Sequence, residues 1–238
     1  MDKGKGCVGG SRVRFLRTQR RGKGLSKIPE SKKGVDCGIK KMKTLFKRVY
    51  DDGACYGVVN EVMPGCEWVL NGEGVATEKV DGACCAIIDG VFYKRYDAKR
   101  GKKPPEGAIP CQPEPDPITG HWPHWVEVST RAGADKWFVM AWANTPWIGE
   151  MSDPNTWGTY EAVGLHFQSN PYGLDADFLE RHGRIKIKDF PRTFDGMKEY
   201  FRTHAIEGVV FQRENGEMCK IKRSDFGFRW PLEKGYFD

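Results

Sequence analysis

Two β-rich runs, each broken by a two-residue turn sequence, constrain the fold of this chain more than any other feature. Residues 83–97 read ACCAIIDGVFYKRYD and turn at Asp89-Gly90, and residues 207–223 read EGVVFQRENGEMCKIKR and turn at Asn215-Gly216. Asp-Gly and Asn-Gly between β-rich runs are the strongest short-range signals of an antiparallel hairpin. The sequence therefore predicts an α+β fold dominated by antiparallel strands.

The segments outside the hairpins predict further strands and two helices. A helix with a capping aspartate and a closing glycine is predicted for LDADFLERHG (174–183). A second helix is predicted over TFDGMKEYFRTH (193–204), where apolar residues recur at helical spacing. Strands are predicted for CEWVL (66–70), GVATE (74–78), HWVEVST (124–130) and KWFVMAWA (136–143).

The second hairpin predicts which side chains share a face. If Asn215-Gly216 is a two-residue turn, Phe211 faces Lys220 and Val209 faces Lys222. Because side chains alternate with period two, both lysines then share one face with Val209 and Phe211. The same parity puts Glu207 on that face. One carboxylate and two lysines are therefore expected to converge at one end of the hairpin.

The first hairpin gives a parallel expectation near a single lysine. Arg95 is predicted to lie opposite Cys84, at the end of the hairpin where Lys79 enters. Lys79 is followed two residues later by Asp81-Gly82, which predicts a tight turn at that point. Lysines and an arginine beside carboxylates suit a phosphate group together with a divalent metal ion.

Charge divides the chain into two parts. Residues 1–41 contain 13 Lys and Arg against 3 Asp and Glu, a net charge of +10, whereas residues 42–238 carry −4. The first part is rich in glycine and poor in aromatic residues, which is typical of a disordered segment. We therefore expect a disordered basic arm over 1–41, able to bind polyanions, and a folded domain over 42–238.

Cysteine spacing and hydropathy exclude several classes of protein. The eight cysteines include no C-x-x-C pair, so the usual zinc spacing is missing and free, partly buried thiols are predicted. The longest apolar run, WFVMAWA at 137–143, is far shorter than the roughly 20 residues that a membrane-spanning helix needs. The N-terminus lacks the apolar region of a signal peptide. We expect an intracellular, cytoplasmic protein with no membrane partner.

Five short motifs follow one another in a fixed order in the second part of the chain. They are Lys79-Val80-Asp81-Gly82, Arg95 within YKRYD, Glu161 within TYEAVG, Glu207-Gly208-Val209-Val210, and Lys220-Ile221-Lys222. In this order they resemble the motifs of the covalent nucleotidyltransferases, which include polynucleotide ligases and capping enzymes.

A closer resemblance is to a small ATP-dependent 5′–3′ RNA ligase family with vertebrate members. The segments that carry it are TEKVDG (77–82) followed by Cys84-Cys85, NPYGL (170–174), IEG (206–208), and the stretch from Lys220 to Trp230-Pro231. It covers roughly residues 42–231. The resemblance implies an antiparallel-sheet nucleotidyltransferase domain of the ATP-grasp-like ligase adenylation type. It implies a monomer that acts in RNA repair.

The resemblance also implies a chemistry. Lys79 would attack the α-phosphorus of ATP and form lysyl-AMP, with Lys220 and Lys222 as further catalytic residues. Glu207 would hold Mg²⁺, with Mn²⁺ as an alternative. The AMP would pass to an RNA 5′-phosphate, and an RNA 3′-hydroxyl would then displace it.

The same resemblance assigns the remaining cofactor-binding residues. Arg95 and Glu161 would contact the ribose or the incoming 5′-phosphate. The backbone of Glu78 would read adenine. Asp81-Gly82 would hold Lys79 above the nucleotide. Lys220, Lys222 and Glu207 would also contact the bound nucleotide.

Three alternatives share some of these features. A capping guanylyltransferase or a DNA ligase carries the same motifs, but usually with an OB-fold domain after K-x-K. Since only 16 residues follow Lys222, no OB-fold domain is expected here. An inactive RNA- or nucleotide-binding module, and a nucleotidyl transfer to a protein or small molecule, are the other two.

Overall fold

A computed structural model of the protein describes residues 41–52, 54–117 and 119–233. The predicted basic arm lies outside these residues except for Lys41. Its amine contacts the Asp116 carboxylate at 2.9 Å and the Thr119 hydroxyl at 2.9 Å. Within the described residues, no helix has the length and apolar character needed to cross a membrane.

The described part of the chain contains strands and two α-helices, joined by short 3₁₀ segments. The α-helices are α1 (Lys136–Ala143) and α2 (Phe194–Thr203). The strands are β1 (Lys43–Thr44), β2 (Phe46–Asp51), β3 (Ala54–Val62), β4 (Val75–Lys79), β5 (Ala83–Ile88), β6 (Val91–Ala98), β7 (Ile109–Pro110), β8 (Trp122–Glu127), β9 (Gly158–Val163), β10 (Phe178–Arg181), β11 (Gly208–Gln212) and β12 (Met218–Lys222). The α+β prediction is confirmed.

The strands form two main sheets and one separate hairpin. A four-stranded sheet has the order β1-β12-β11-β4, and a six-stranded sheet has the order β10-β9-β5-β6-β8-β7. All pairs in them are antiparallel except β1 with β12, and β2 pairs with β3. The chain crosses from the first main sheet to the second through residues 80–82, directly after Lys79.

Each main sheet has its own buried cluster. Met197 and Phe201 of α2 share one cluster with Val209, Phe211 and Ile221 of β11 and β12, and all five are completely buried. Thr193 caps α2 by accepting a hydrogen bond from the backbone of residue 196. A second cluster joins α1 to β5, β9 and β10. Each cluster covers one face of its sheet, which leaves the other face for a site.

The two predicted hairpins have different outcomes. The first is confirmed: Asp89 and Gly90 both have positive φ, 49° and 79°, as a type I′ turn requires, and Ile88 pairs with Val91. The second forms, but with a three-residue loop over 214–216, because the backbone N–H of Arg213 donates to the Glu217 carbonyl. The predicted two-residue turn was wrong there.

The longer loop shifts the register of the second hairpin by one residue. Lys220 lies opposite Val210 instead of Phe211, and Lys222 lies opposite Gly208 instead of Val209. Val209 and Phe211 therefore face the core and not the lysines, so the predicted shared face was wrong in its apolar members. Burial of the two large apolar side chains fixes this register, because a one-residue slip would expose them.

Three predicted elements are also corrected. KWFVMAWA (136–143) forms α1 instead of a strand, and LDADFLERHG (174–183) contains strand β10 instead of a helix. CEWVL (66–70) forms a 3₁₀ turn with Trp68 and Val69 buried. A short apolar run does not distinguish a buried helix from a buried strand, so tertiary contacts decided these three. The helix predicted over 193–204 and the strand predicted over 74–78 are confirmed, and the strand predicted over 124–130 is confirmed only as far as Glu127.

Candidate active site

Lys79 stands at the end of β4, where the chain leaves the four-stranded sheet. Strand pairing puts Lys79, Gly208 and Lys222 in one row across the sheet. Gly208 lies between the two lysines, where a Cβ atom would come within 2.6 Å of the Ile221 carbonyl. This close approach explains the glycine of the Glu-Gly motif.

Glu207 joins the two lysines of this row. Its carboxylate accepts from Lys79 Nζ at 2.5 Å through one oxygen and lies 2.8 Å from Lys222 Nζ through the other. Glu207 is 5% exposed, and its backbone carbonyl accepts from Arg223 N at 2.8 Å. The predicted convergence of Glu207 with Lys222 is thus present, although the parity argument for it was wrong: Glu207 precedes β11 and does not follow its alternation.

Lys220 lies in the next row of the same sheet face. Strand pairing aligns it with Val210 and Thr77. Burial, together with the neighbouring positive charges of Lys79 and Lys222, lowers the pKa of Lys220 to about 8. An amine in this state loses its proton near neutral to mildly alkaline pH.

The Asp81-Gly82 turn is anchored by two distant aromatic residues. The Tyr172 hydroxyl accepts from Asp81 N at 2.6 Å, and Trp230 Nε1 donates to the Asp81 carboxylate at 2.9 Å. Gly82 approaches β9 so closely that a Cβ atom would lie 2.4 Å from the Ala162 carbonyl. NPYGL and the terminal WP segment therefore act at the Lys79 turn, a role that sequence analysis did not assign to them.

Arg95 and its neighbours come from the six-stranded sheet. Arg95 Nε donates to the Asp97 carboxylate at 2.8 Å. Arg95 lies opposite Cys84 in the β5–β6 pair, as predicted, and its side chain also hydrogen-bonds the Cys84 thiol. Burial raises the pKa of the Cys84 thiol well above its ordinary value. Arg95 thus brings a guanidinium to this wall, which can bind a phosphate or a ribose hydroxyl.

Glu161 lies opposite Cys84 on β9 and contacts a histidine that sequence analysis missed. His182 Nε2 lies 3.2 Å from one Glu161 carboxylate oxygen, and His182 Nδ1 lies 2.9 Å from the Thr159 hydroxyl. His182 belongs to the segment predicted as a helix. Correct assignment of β10, which pairs with β9, is the signal that could have found it.

A cavity of about 850 Å³ lies among these residues. Of the nine predicted site residues, those that line it are Glu78, Lys79, Gly82, Arg95, Glu161, Lys220 and Lys222. Glu207 contacts two of the lining residues, Lys79 and Lys222, whereas the bonds of Asp81 are to Tyr172 and Trp230, outside the lining. The volume is within the range of small-molecule sites and suits a nucleotide.

The Glu78 side chain lies on the face of β4 opposite to that of Lys79. It lies in the row of Val209 and Ile221, and its backbone N–H donates to the Ile185 carbonyl at 2.9 Å. Burial raises the pKa of its carboxyl group, and Glu180 nearby adds to the effect. Its backbone N–H is therefore already used within the protein.

The chemistry of the Glu207 carboxylate fits a hard divalent cation. One of its oxygens binds the Lys79 amine and the other binds the Lys222 amine, so both oxygens already bind positive charge at the edge of the cavity. Mg²⁺ usually takes one or two carboxylates, with substrate phosphates and water completing its shell. Glu207 could serve as that carboxylate.

Comparison with known proteins finds similarity to proteins described as RNA ligase 1. A family described as RNA ligase 1 matches residues 154–238. RNA ligase 1 of Rattus norvegicus is 27% identical over 69% of this chain and 70% of its own length, and the Mus musculus protein is 27% identical with the same coverage. The Danio rerio protein is 30% identical over 31% of this chain and 26% of its own length.

The family match covers Glu161, Glu207 and both lysines of β12, and the longer alignments extend over more than half of the chain. The chain is thus similar, at the level of distant homology, to the vertebrate RNA ligase 1 proteins.

Proposed function

We propose that this protein is an ATP-dependent RNA ligase that works through a covalent lysyl-AMP. The observation that carries the proposal is the row Lys79–Gly208–Lys222, with Glu207 joining its two lysines at the edge of a nucleotide-sized cavity. Homology to RNA ligase 1 supports RNA ligation. A ligase adenylation fold of the nucleotidyltransferase type is part of the proposal.

In the first step, the Lys79 ammonium loses a proton to solvent, and the neutral Nζ attacks the α-phosphorus of ATP. A nitrogen–phosphorus bond forms, the bond to the β-phosphate oxygen breaks, and pyrophosphate leaves. Lys220 and Lys222, on the same sheet face, stabilise the negative charge that develops on the phosphate oxygens. Glu207 would hold Mg²⁺ or Mn²⁺, which supplies further charge neutralisation when it is bound.

In the next two steps, the AMP is transferred to RNA and then released. The RNA 5′-phosphate attacks the lysyl-AMP phosphorus and regenerates the Lys79 amine. An RNA 3′-hydroxyl then attacks the activated 5′-phosphate, forms a phosphodiester and expels AMP. Arg95 and Glu161, from the opposite wall, contact the ribose or the incoming 5′-phosphate in this proposal.

Residues 42–238 form the catalytic domain in this proposal, and residues 1–41 add positive charge for RNA. The ligase would act as a monomer in RNA repair.

The test is a ligation assay on the full-length protein with Mg²⁺. A labelled RNA with a 5′-phosphate and a 3′-hydroxyl should be joined with ATP, whereas GTP, an NAD⁺ analogue, or a 3′-phosphorylated RNA should give no product. Label transfer from GTP without ligation would identify a capping-type enzyme instead. Absence of any nucleotide transfer would leave a binding module.

A further inference from the structure

Three side chains on the wall opposite Lys79 form a cluster of potential metal ligands. Cys84, Glu161 and His182 each bring one ligand atom, and these atoms all lie within 4.8 Å of one another. They come from β5, β9 and the turn after β10, so no sequence spacing links them. Sulfur, nitrogen and carboxylate oxygen are the ligand types of zinc sites.

The distance between two of these atoms fits a shared ion. Two ligands each about 2.1 Å from a tetrahedral zinc ion lie roughly 3.4 Å apart. His182 Nε2 and the nearer Glu161 oxygen are 3.2 Å apart. The pair could therefore receive an ion with little movement of either side chain.

The other ring nitrogen of His182 is held as in known metal sites. His182 Nδ1 lies 2.9 Å from the Thr159 hydroxyl. When Nδ1 donates its proton to this hydroxyl, Nε2 carries a lone pair that points at the carboxylate. Metal-binding histidines usually use their second nitrogen in this way, which fixes the tautomer and the ring orientation.

An unpartnered oxygen provides an independent sign of a missing cation. The second Glu161 oxygen, Oε2, is buried and finds no hydrogen-bond partner among the described residues. A buried polar atom without a partner is uncommon and costs free energy. A cation bound by this carboxylate would remove that cost.

We propose that Cys84 Sγ, the Glu161 carboxylate and His182 Nε2 bind one zinc-type divalent ion, with an open fourth position toward the cavity. The site is separate from Glu207, whose oxygen ligands suit Mg²⁺. The Cys84 thiolate and the His182 imidazole of the proposed site select softer ions than Mg²⁺. Binding releases the Cys84 proton, because the thiolate is the ligand. The inference does not depend on ligase activity.

Cobalt titration of the full-length protein tests this site directly. One equivalent of Co²⁺ should give the visible spectrum of a tetrahedral ion together with a sulfur-to-cobalt charge-transfer band, and Zn²⁺ but not Mg²⁺ should abolish both. Cys84→Ser should lose the charge-transfer band, whereas Cys55→Ser, at an exposed free cysteine, should retain it. No tetrahedral spectrum, or a band that persists in Cys84→Ser, overturns the proposal.

Two further variants keep the test decisive if Cys84→Ser does not fold. His182→Gln should weaken Co²⁺ binding by more than tenfold, since His182 is partly exposed and the substitution is tolerable. Thr159→Val changes only the orientation of His182 and should weaken binding about tenfold. Unchanged affinity in His182→Gln would show that the pair is a simple imidazole–carboxylate hydrogen bond.

Discussion

The two hairpins of the molecule look alike in sequence and differ in how they build the site. The first, β5–β6, has a two-residue turn, and its register follows from that turn alone. The second, β11–β12, has a three-residue loop, and its register follows from the burial of Val209 and Phe211. Where turn chemistry and core burial disagree, core burial decides, because a slip would expose every large apolar side chain.

The two hairpins also contribute different charged side chains to the site. The second brings Lys220, Lys222 and Glu207 to Lys79, and three of these four groups are linked by ion pairs. The first brings Arg95 to the opposite wall, where its partner is Asp97. We therefore expect variants of the second hairpin to affect the attack on ATP, and variants of the first to affect how substrates are held.

The largest expected effect tests the register of the second hairpin. Phe211→Ala should lower the free energy of unfolding by about 3–5 kcal/mol, because it leaves a cavity in the core. Val210→Ala, one residue away on the lysine side, should cost about 1 kcal/mol. Urea denaturation of both variants decides. Equal costs, or a larger cost for Val210→Ala, would favour the register predicted from a two-residue turn.

The next effect concerns the attack step. Lys222→Ala should slow lysyl-AMP formation by about 10²–10³-fold, the usual cost of removing one charge contact to a transition state. Arg213 lies on the same hairpin but outside the cavity, where it forms ion pairs with Glu73 and Glu217. The Arg213→Ala variant should therefore keep the wild-type rate. Single-turnover labelling with α-labelled ATP measures both. Similar rates in the two variants would remove Lys222 from the mechanism.

Lys220 should set an alkaline limit on the reaction. Its pKa of about 8 is below the usual lysine value, so in the free protein its charge is lost as pH rises through about 8. kcat/KM for ATP should then fall by up to about tenfold per pH unit. Lys220→Arg keeps a charge at these pH values and should move the fall to higher pH.

The same substitution at an exposed lysine, Lys188→Arg, provides the control for the pH profile. It should leave the alkaline limb where the wild-type protein has it. A limb near pH 8 that also persists in Lys220→Arg would assign the titration to another group.

The smallest effect belongs to the first hairpin. Arg95→Ala should raise the KM for ATP by about tenfold and leave kcat nearly unchanged, since loss of one charged hydrogen bond is expected near the lower end of 1.5–3 kcal/mol. Steady-state adenylylation kinetics separate the two constants. A loss in kcat as large as that of Lys222→Ala would mean that the two hairpins do not divide the work.

Much of the site could be predicted because its residues follow short motifs at strand ends. Lys79, Glu207 and Lys222 converge as expected, and the Asp89-Gly90 turn has the predicted backbone. The roles of His182 and Tyr172 were missed, because they depend on contacts between segments far apart in the chain and, for His182, because strand β10 was predicted as a helix. The apolar run of α1 was misassigned for a similar reason: its helical form depends on the sheet that it covers.

The central claim is that Lys79 is the residue that becomes AMP-modified. Intact-mass analysis after incubation with ATP and Mg²⁺, followed by peptide mapping, tests it most directly. The account predicts one added AMP per chain, mapped to Lys79, absent from Lys79→Ala and unchanged in Lys188→Ala, a control at an exposed lysine. An adduct that survives Lys79→Ala, or that maps to Lys220 or Lys222, would contradict it.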